Sequence, residues 1–269
     1  MRRTLNFAVE GTTCAASLDE AAGTHGLLIV SGGNEIRSGA HRGMARLAAA
    51  VAAAGHPVLR FDRRGVGDSE GENLGFEQEG EDIAAALALF RAQCPQLTRV
   101  TAFGNCDAAA ALLLHYQAGG PDALLLANPW AIDSPVESGR QADALPPPAA
   151  IRARYAAKLR DPREWVRLLR GGVDLRKLVR GIFATRVRPM SNRLVDRLAL
   201  ALGKCLVPVT ILLATRDATA LAFAAVWPDA FATDEQHVPV ERLDSASHGF
   251  ADAEARVWLE ARVVEALAQ

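Results

Sequence analysis

The chain has 269 residues, of which 50% are hydrophobic and 23% are charged, and its formal net charge is −1. This length suffices for one sizeable core, built either as a single domain with an insertion or as two domains. The near-zero charge excludes a general polyanion-binding protein, and no run approaches the ~20 apolar residues of a membrane-spanning helix.

Four cysteines, at positions 14, 94, 106 and 205, have neither CxxC spacing nor a regular disulfide framework. We therefore expect reduced thiols and a cytoplasmic protein. The N-terminal run MRRTLNFAVEG has two arginines but no apolar stretch behind them, so we expect no signal peptide. No histidine or cysteine pair has metal-ligand spacing, and we predict neither a metal nor a cofactor.

Apolar runs of strand length alternate with longer helical runs along the chain. After a hairpin formed by LNFAVE and TTCAASL, the predicted strands are 26–33, 57–65, 99–105, 122–130, 207–217 and 238–244, and the predicted helices are 41–55, 76–93, 106–118, 219–226 and 251–268. Continuous apolar strands between helices predict a parallel sheet covered on both faces. The fold class is therefore α/β.

Residues 131–203 interrupt this alternation and are predicted to form a helical cap inserted between core segments 1–130 and 204–269. The proline triplet at 146–148 cannot continue a helix or a central strand. Residues 140–200 hold 15 Lys+Arg against 5 Asp+Glu. They form either a solvated insertion or a lid whose basic face meets an anionic ligand. The predicted cap helices are 149–160, 162–170, 174–184 and 190–203.

The stretch FGNCDAAAALLLHY, from Phe103 to Tyr116, predicts a strand, a sharp turn carrying Cys106, and an apolar helix. Gly104 and Ala108 flank the cysteine with the small-residue spacing of the G-x-S-x-G nucleophile turn, with alanine replacing the last glycine. A thiolate there would be exposed and stabilised by the helix N-terminus. A buried structural cysteine is the alternative interpretation.

Two residues at later strand ends complete a candidate catalytic triad. Asp217 follows the apolar strand ILLATRD, and His248 follows the next strand and precedes the final helix. Nucleophile, acid, histidine is the chain order of the α/β-hydrolase triad. Alone, Asp217 could cap a helix and His248 could lie in a surface loop, but three such residues at three strand ends favour a triad.

The run IVSGGNEIRSGAHR, which follows the third strand, predicts the second part of an oxyanion hole. Glycines allow close backbone approach, so we predict that the N–H of Gly33 or Asn34 complements the N–H of Asp107. Three nearby polar residues are candidates for binding a carboxylate or phosphate, or are equally well surface residues: Arg37, His41 and Arg42.

The segment FDRRGVGDSEG resembles the loop after the fourth strand of α/β hydrolases, commonly D-x-R-G-x-G-x-S. The resemblance implies that Asp62, Arg64 and Gly65 build the turn. Together with the cysteine turn, the glycine loop, Asp217 and His248, it covers nearly the whole chain outside the insertion. It implies an α/β-hydrolase fold, a mostly parallel sheet flanked by helices, with a helical cap insertion.

A narrower resemblance rests on GGNEIRSGAHR, RFDRRGVGDSEG, GNCDAA and RDATALAF. These segments are similar to the hydrolase 1 family associated with the exosortase A system, whose members lie in exopolysaccharide and protein-sorting gene clusters of Gram-negative bacteria. The resemblance assigns Cys106 and Asp217 by motif and His248 by position, and it implies no particular substrate. The cysteine turn is also similar to that of dienelactone hydrolases, which lack a large insertion here and rank second.

These residues predict a hydrolase of carboxylic esters or thioesters that acts through Cys106, His248 and Asp217 and a covalent acyl-enzyme. The expected partner is a small acyl substrate, anionic if the basic insertion faces the site. The basic residues lack the aromatic interleaving of a nucleic-acid platform. Two alternatives stay open: an acyltransferase using the same triad, and a non-catalytic α/β-hydrolase fold that binds a small molecule or a protein. The oligomeric state is also open.

Overall fold

The computed structural model of the protein describes residues 1–118, 120–132, 193–230 and 238–269. Most of the predicted cap, including the helices expected at 149–160, 162–170 and 174–184, lies outside the described residues. Of the last expected cap helix, residues 193–203 are described and are helical. The division of the chain into core and cap stays a prediction.

Strands and helices in the described ranges follow the predicted alternation. The strands are β1 (Arg2–Val9), β2 (Thr12–Asp19), β3 (His25–Val30), β4 (Val58–Phe61), β5 (Arg99–Asn105), β6 (Ala123–Ala127), β7 (Val209–Ala214) and β8 (Val240–Leu243). The helices are α1 (Gly43–Ala53), α2 (Gly80–Gln93), α3 (Asp107–His115), α4 (Arg193–Gly203), α5 (Ala218–Ala230) and α6 (Ala253–Ala268). Among these helices, none has the length and apolar character needed to cross a bilayer.

One sheet joins all these strands in the order β1-β2-β4-β3-β5-β6-β7-β8. β1 and β2 form the predicted antiparallel hairpin, and β2 runs antiparallel to β4. Every other neighbouring pair is parallel. The predicted mostly parallel sheet flanked by helices is therefore confirmed. Because the strands from β3 to β8 share a direction, their carboxyl ends lie along one edge, where α/β proteins bind ligands.

The central strands carry apolar residues on both faces because helices cover both sides of the sheet. In β3, Leu28 and Val30 pack with α2, α3 and α4, whereas Leu27 and Ile29 pack with α1 and α6. β5, β6 and β7 alternate in the same way, and both clusters are buried. This double coverage explains why a period of two residues is not visible in the sequence of these strands.

Strand β4 ends at Phe61 rather than at the predicted residue 65, and the chain turns at Arg64 and Gly65. The Asp62 carboxylate is buried and accepts hydrogen bonds from the backbone N–H groups of Arg37 and Asp68, the latter at 3.0 Å. It also pairs with the Arg37 guanidinium. One carboxylate thus joins the loop after β3 to the loop after β4, in agreement with the structural role that the family resemblance implies.

Replacing Asp62 by Asn should destabilise the fold by about 3 kcal/mol, because it leaves buried donors and part of a buried ion pair uncompensated. Asp68→Asn is the matched control. Asp68 also pairs with Arg37, but its side chain is 73% exposed, so the change should cost less than about 1 kcal/mol. Urea unfolding measures both. Equal effects would contradict the role assigned to Asp62.

Candidate active site

Cys106 lies on a tight turn between β5 and α3, with φ 64° and ψ −125°. These are unfavourable dihedrals for a residue with a side chain, and strain of this kind typically accompanies a functional site. The backbone N–H of Cys106 donates to Ala127 O at 3.0 Å, which joins the turn to the end of β6. Its thiol is partly exposed, whereas the other three cysteines are buried.

Small neighbours make the turn possible. A Cβ on Gly104 would lie 2.7 Å from the backbone carbon of Ala108 and 2.8 Å from its oxygen, so β5 and α3 approach too closely for any larger residue. Ala108 is itself fully buried. The alanine that replaces the last glycine of the motif is therefore accommodated.

Asp217, His248 and Cys106 lie in one series, with His248 in the middle. His248 Nδ1 pairs with Asp217 Oδ2 at 3.1 Å, and His248 and Cys106 line the same cleft, where the sulfur interacts electrostatically with the imidazole. Asp217 Oδ2 additionally accepts from the N–H groups of Thr219 and Ala220, each at 3.0 Å. Asp217 therefore caps α5 and contacts His248 at once, so its role as a helix cap does not exclude the predicted role beside His248.

The contacts of this series shift two pKa values in opposite directions. Hydrogen bonds to Asp217 and to Cys106 raise the pKa of His248 to about 10, although desolvation opposes them. Burial alone would raise the pKa of Asp217. Hydrogen bonds from His248 and from the start of α5 outweigh it, and the pKa lies below its ordinary value. His248 is therefore an imidazolium near neutral pH, held between Asp217 and the Cys106 sulfur.

At the predicted oxyanion hole, the backbone N–H of Gly33 donates to the Asp107 carboxylate, with Gly33 N and Asp107 Oδ1 2.7 Å apart. A Cβ on Gly32 would lie 2.4 Å from the same oxygen, so the loop is pressed against this carboxylate. The backbone N–H of Asp107 is in the first turn of α3, where helical N–H groups have no partner within the helix. Of the predicted oxyanion-hole donors, the N–H of Asp107 is thus at the start of a helix, and the N–H of Gly33 is already bonded to a side chain.

The remaining predicted site residues are not among the described residues that line the cleft at Cys106. Asn34 is exposed, and its Oδ1 accepts from Asn73 Nδ2 at 2.9 Å. Arg37 is bound to Asp62, Asp68 and Ser17. His41 and Arg42 are exposed at positive φ before α1, and in the described part of the chain they do not line the cleft at Cys106.

The cleft above Cys106 has an apolar wall formed by Val30, Ala40 and Met44. Its polar lining includes Asn105 and the exposed Glu35, whose Oε2 accepts from Ala40 N at 3.3 Å. Among the described residues, no lysine or arginine lines it. The described lining of the cleft therefore combines an apolar wall with two ionisable side chains, Glu35 and His248.

Behind Asp107 lies a buried carboxyl group that the sequence analysis did not single out. Burial raises the pKa of Glu79 to about 8; the ion pair with Arg63 at 3.1 Å opposes this shift, and Asp107 adds to it. Glu79 is only 3% exposed, and its Oε1 has no partner within the described chain. Glu79 is consequently largely uncharged near neutral pH, which limits its repulsion of the Asp107 carboxylate.

Asn128 is a second residue that the sequence analysis missed. It is fully buried at the end of β6, and its side chain bonds to Asn105, Ala214 and His248. The available signal was the segment LLLANPW, in which a polar residue directly follows an apolar strand. Within the described ranges, no group of three His, Cys, Asp or Glu residues is arranged to hold a metal ion.

The fold and the turn at Cys106 define the class of the protein. The alpha/beta hydrolase family model matches residues 25–262. The match spans most of the chain, and the chain therefore belongs to the α/β hydrolase family. A search among curated proteins finds no match.

Solved structures agree with the family at low sequence identity. An esterase from Pyrococcus furiosus has a TM-score of 0.65 at 15% identity, covering 100% of this chain and 92% of its own. The thioesterase domain from the curacin biosynthetic pathway has a TM-score of 0.56 at 13% identity, with 100% of both chains covered. An alpha-beta serine hydrolase homologue from Coxiella burnetii has a TM-score of 0.61 at 14% identity, covering 98% and 97%. These likenesses concern the fold.

We expect His248 to keep its proton through the neutral range, because its pKa is raised to about 10. Nitrogen NMR should show imidazolium shifts for His248 at pH 7, while His25 and His115, whose pKa values burial lowers, serve as neutral internal controls. Since the folded-state pKa exceeds the ordinary 6.5, this proton stabilises the fold fully below pH 6.5, and the contribution is lost as pH rises through about 10. A neutral His248 at pH 7 would contradict this geometry.

Proposed function

We propose that the protein hydrolyses a carboxylic ester or thioester, with Cys106 as nucleophile, His248 as general base and acid, and Asp217 as the group that orients His248. The observation that carries this proposal is the placement of Asp217, His248 and Cys106 at the carboxyl edge of the sheet: His248 Nδ1 lies 3.1 Å from Asp217 Oδ2, and His248 lines one cleft with Cys106 on its strained turn. Membership of the α/β hydrolase family supports the same reaction class.

The reaction divides into two acyl transfers. The Cys106 thiolate attacks the carbonyl carbon and forms a C–S bond, and the carbonyl oxygen takes up negative charge. When this tetrahedral intermediate collapses, the imidazolium of His248 protonates the departing alcohol or thiol, and a thioester on Cys106 remains. His248, now neutral, removes a proton from water, which attacks the thioester and releases the acid. Esters and thioesters suit a thiolate better than amides, because an amine is a poor leaving group.

The oxyanion would be held by the N–H of Asp107 and by a second donor from the loop after β3. Of the two candidates from this loop, Gly33 lines the cleft and Asn34 does not. The present acceptor of the Gly33 N–H is the Asp107 carboxylate. The carboxylate must turn away before Gly33 N–H can bind a substrate oxygen. Removing one oxyanion donor typically costs roughly 3 kcal/mol of transition-state stabilisation, so this displacement bears directly on the rate.

The finer biological assignment comes from the sequence resemblance alone. GNCDAA and RDATALAF resemble the exosortase A-associated hydrolase 1 family, and we assign the chain to an exopolysaccharide or protein-sorting pathway on that ground. The apolar wall of the described cleft, with Val30, Ala40 and Met44, supports an uncharged acyl group. An anionic group elsewhere on the substrate would have to meet the basic segment within residues 140–200.

Brief exposure to activated esters and acyl thioesters tests the proposal. Intact-protein mass spectrometry should detect a transient acyl adduct on the native chain, and the adduct should be absent from Cys106→Ala. Cys94→Ala is the matched control, because it removes a thiol that is buried and whose pKa burial raises. It should leave the adduct intact. A native chain that forms no adduct with any acyl donor would refute the hydrolase proposal.

One observation favours a second candidate function, a non-catalytic binding module. The occupation of Gly33 N–H by the Asp107 carboxylate leaves the oxyanion hole incomplete in this structure. A protein that only binds a ligand would tolerate that arrangement, whereas an enzyme must reverse it. The two candidates therefore differ in whether the Asp107 side chain opposes acylation.

Replacing Asp107 by Ala should raise the rate of Cys106 acylation by small activated esters about tenfold, since it frees one oxyanion donor and removes a nearby negative charge. Asp107→Asn keeps an acceptor for Gly33 N–H but removes the charge, and it should give a smaller gain. Stopped-flow measurement of the acylation step provides both rates. An unchanged or lower rate in Asp107→Ala would mean that this carboxylate does not obstruct the hole.

A further inference from the structure

Asn128 connects the three chain segments that carry Cys106, Asp217 and His248. Its Nδ2 donates to His248 O at 3.0 Å and to Asn105 Oδ1 at 3.2 Å. Its Oδ1 accepts from Ala214 N at 2.9 Å. One amide group thus contacts the last residues of β5 and β7 and the segment that follows β8.

Each contact lies close in the chain to one of the three reacting side chains. Asn105 is the residue before Cys106. The carbonyl of Ala214 accepts from Asp217 N at 2.9 Å, so the Ala214 peptide links Asn128 to the turn that aims Asp217. For His248 the contact is direct, because its own carbonyl is the acceptor. A shift of the Asn128 amide would therefore move all three groups.

The position of Asn128 is unusual for a residue that only fills space. It is fully buried and has a φ of 41°, a left-handed conformation that is costly for most residues but tolerated by Asn, Asp and Gly. Both N–H bonds of its amide and its oxygen are in use, so the hydrogen-bonding capacity of the side chain is nearly spent. An aliphatic residue of the same size would leave polar groups unpaired at three strand ends.

We propose that Asn128 is the positioning residue that fixes the mutual placement of Cys106, His248 and Asp217, and that the spacing of this series depends on its amide. The inference rests on the roles given to those three residues in the proposed function. It adds a residue that directly follows β6, a strand that none of the three reacting residues follows. Asn128 acts through its neighbours and need not touch a substrate.

The test uses two variants whose residues suit the left-handed backbone, Asn128→Asp and Asn128→Gly. The first keeps the shape and the acceptor for Ala214 N–H but replaces both donors by an oxygen. The second removes the side chain, and it keeps the test decisive if the first variant does not fold. The matched control is Thr101→Val, which breaks a buried hydrogen bond of 2.9 Å with His25 at the opposite end of β5.

Two readouts that need no ester are measured on each full-length chain. Nitrogen NMR gives the pKa of His248. The rate of alkylation by iodoacetamide at pH 7 is the second readout, and mass spectrometry identifies Cys106 as the alkylated residue. Positioning predicts that Asn128→Gly lowers the pKa of His248 by about one unit or more, whereas Asn128→Asp is read by alkylation alone, because an ionised carboxylate near His248 would itself raise that pKa. The alkylation rate should fall at least tenfold. Thr101→Val should lower the melting temperature while leaving both readouts unchanged.

Folded Asn128 variants with a native His248 pKa and native alkylation rate would overturn the inference. So would a Thr101→Val chain that reproduces their loss, because the effect would then follow from stability alone. Since alkylation requires neither an ester nor an oxyanion hole, a native chain that hydrolyses no ester would refute the proposed function without affecting this test.

Discussion

The close approach of β5 and α3 at Gly104 is the constraint on which the site depends. With no Cβ at this position, the helix begins immediately after the strand, and Cys106 is held at φ 64° on the turn between them. That turn brings the thiol to the carboxyl edge of the sheet, beside the loops that carry Asp217 and His248. The large, doubly covered sheet supplies the packing that keeps such a strained residue in place.

Electrostatics divides the site into two unlike halves. On one side, Asp217 and His248 form a pair in which burial of the acid is offset by hydrogen bonds, and the imidazole keeps its proton at neutral pH. On the other side, the Asp107 carboxylate occupies a backbone donor, with Glu79 behind it. The first half holds a positive charge beside Cys106. In the proposed mechanism, the second half places negative charge where a carbonyl oxygen would accumulate it, so the two halves oppose each other until Asp107 moves.

Sequence patterns predicted the sheet, its helices and the residues at its strand ends, because these depend on local periodicity and on chain order. They could not predict that β4 stops at Phe61, since the Asp62 carboxylate that follows it bonds to residues of two separate loops. Likewise, the sequence does not indicate an ion-pair partner for Arg37, and only the fold brings its guanidinium against Asp62 and Asp68. Asn128 was overlooked for the same reason: its partners lie 23, 86 and 120 residues away.

In the proposed mechanism, the contact between Asp107 and Gly33 constrains the substrate more than the geometry of Cys106, His248 and Asp217 does. A small ester gains little binding energy from the cleft, and little is then left to displace a carboxylate from its backbone donor. A larger substrate can use contacts remote from the reacting carbonyl to drive that displacement. If Asp107 must move, selectivity for a large acyl compound follows from the residue beside the nucleophile, because only a well-bound substrate can complete the oxyanion hole.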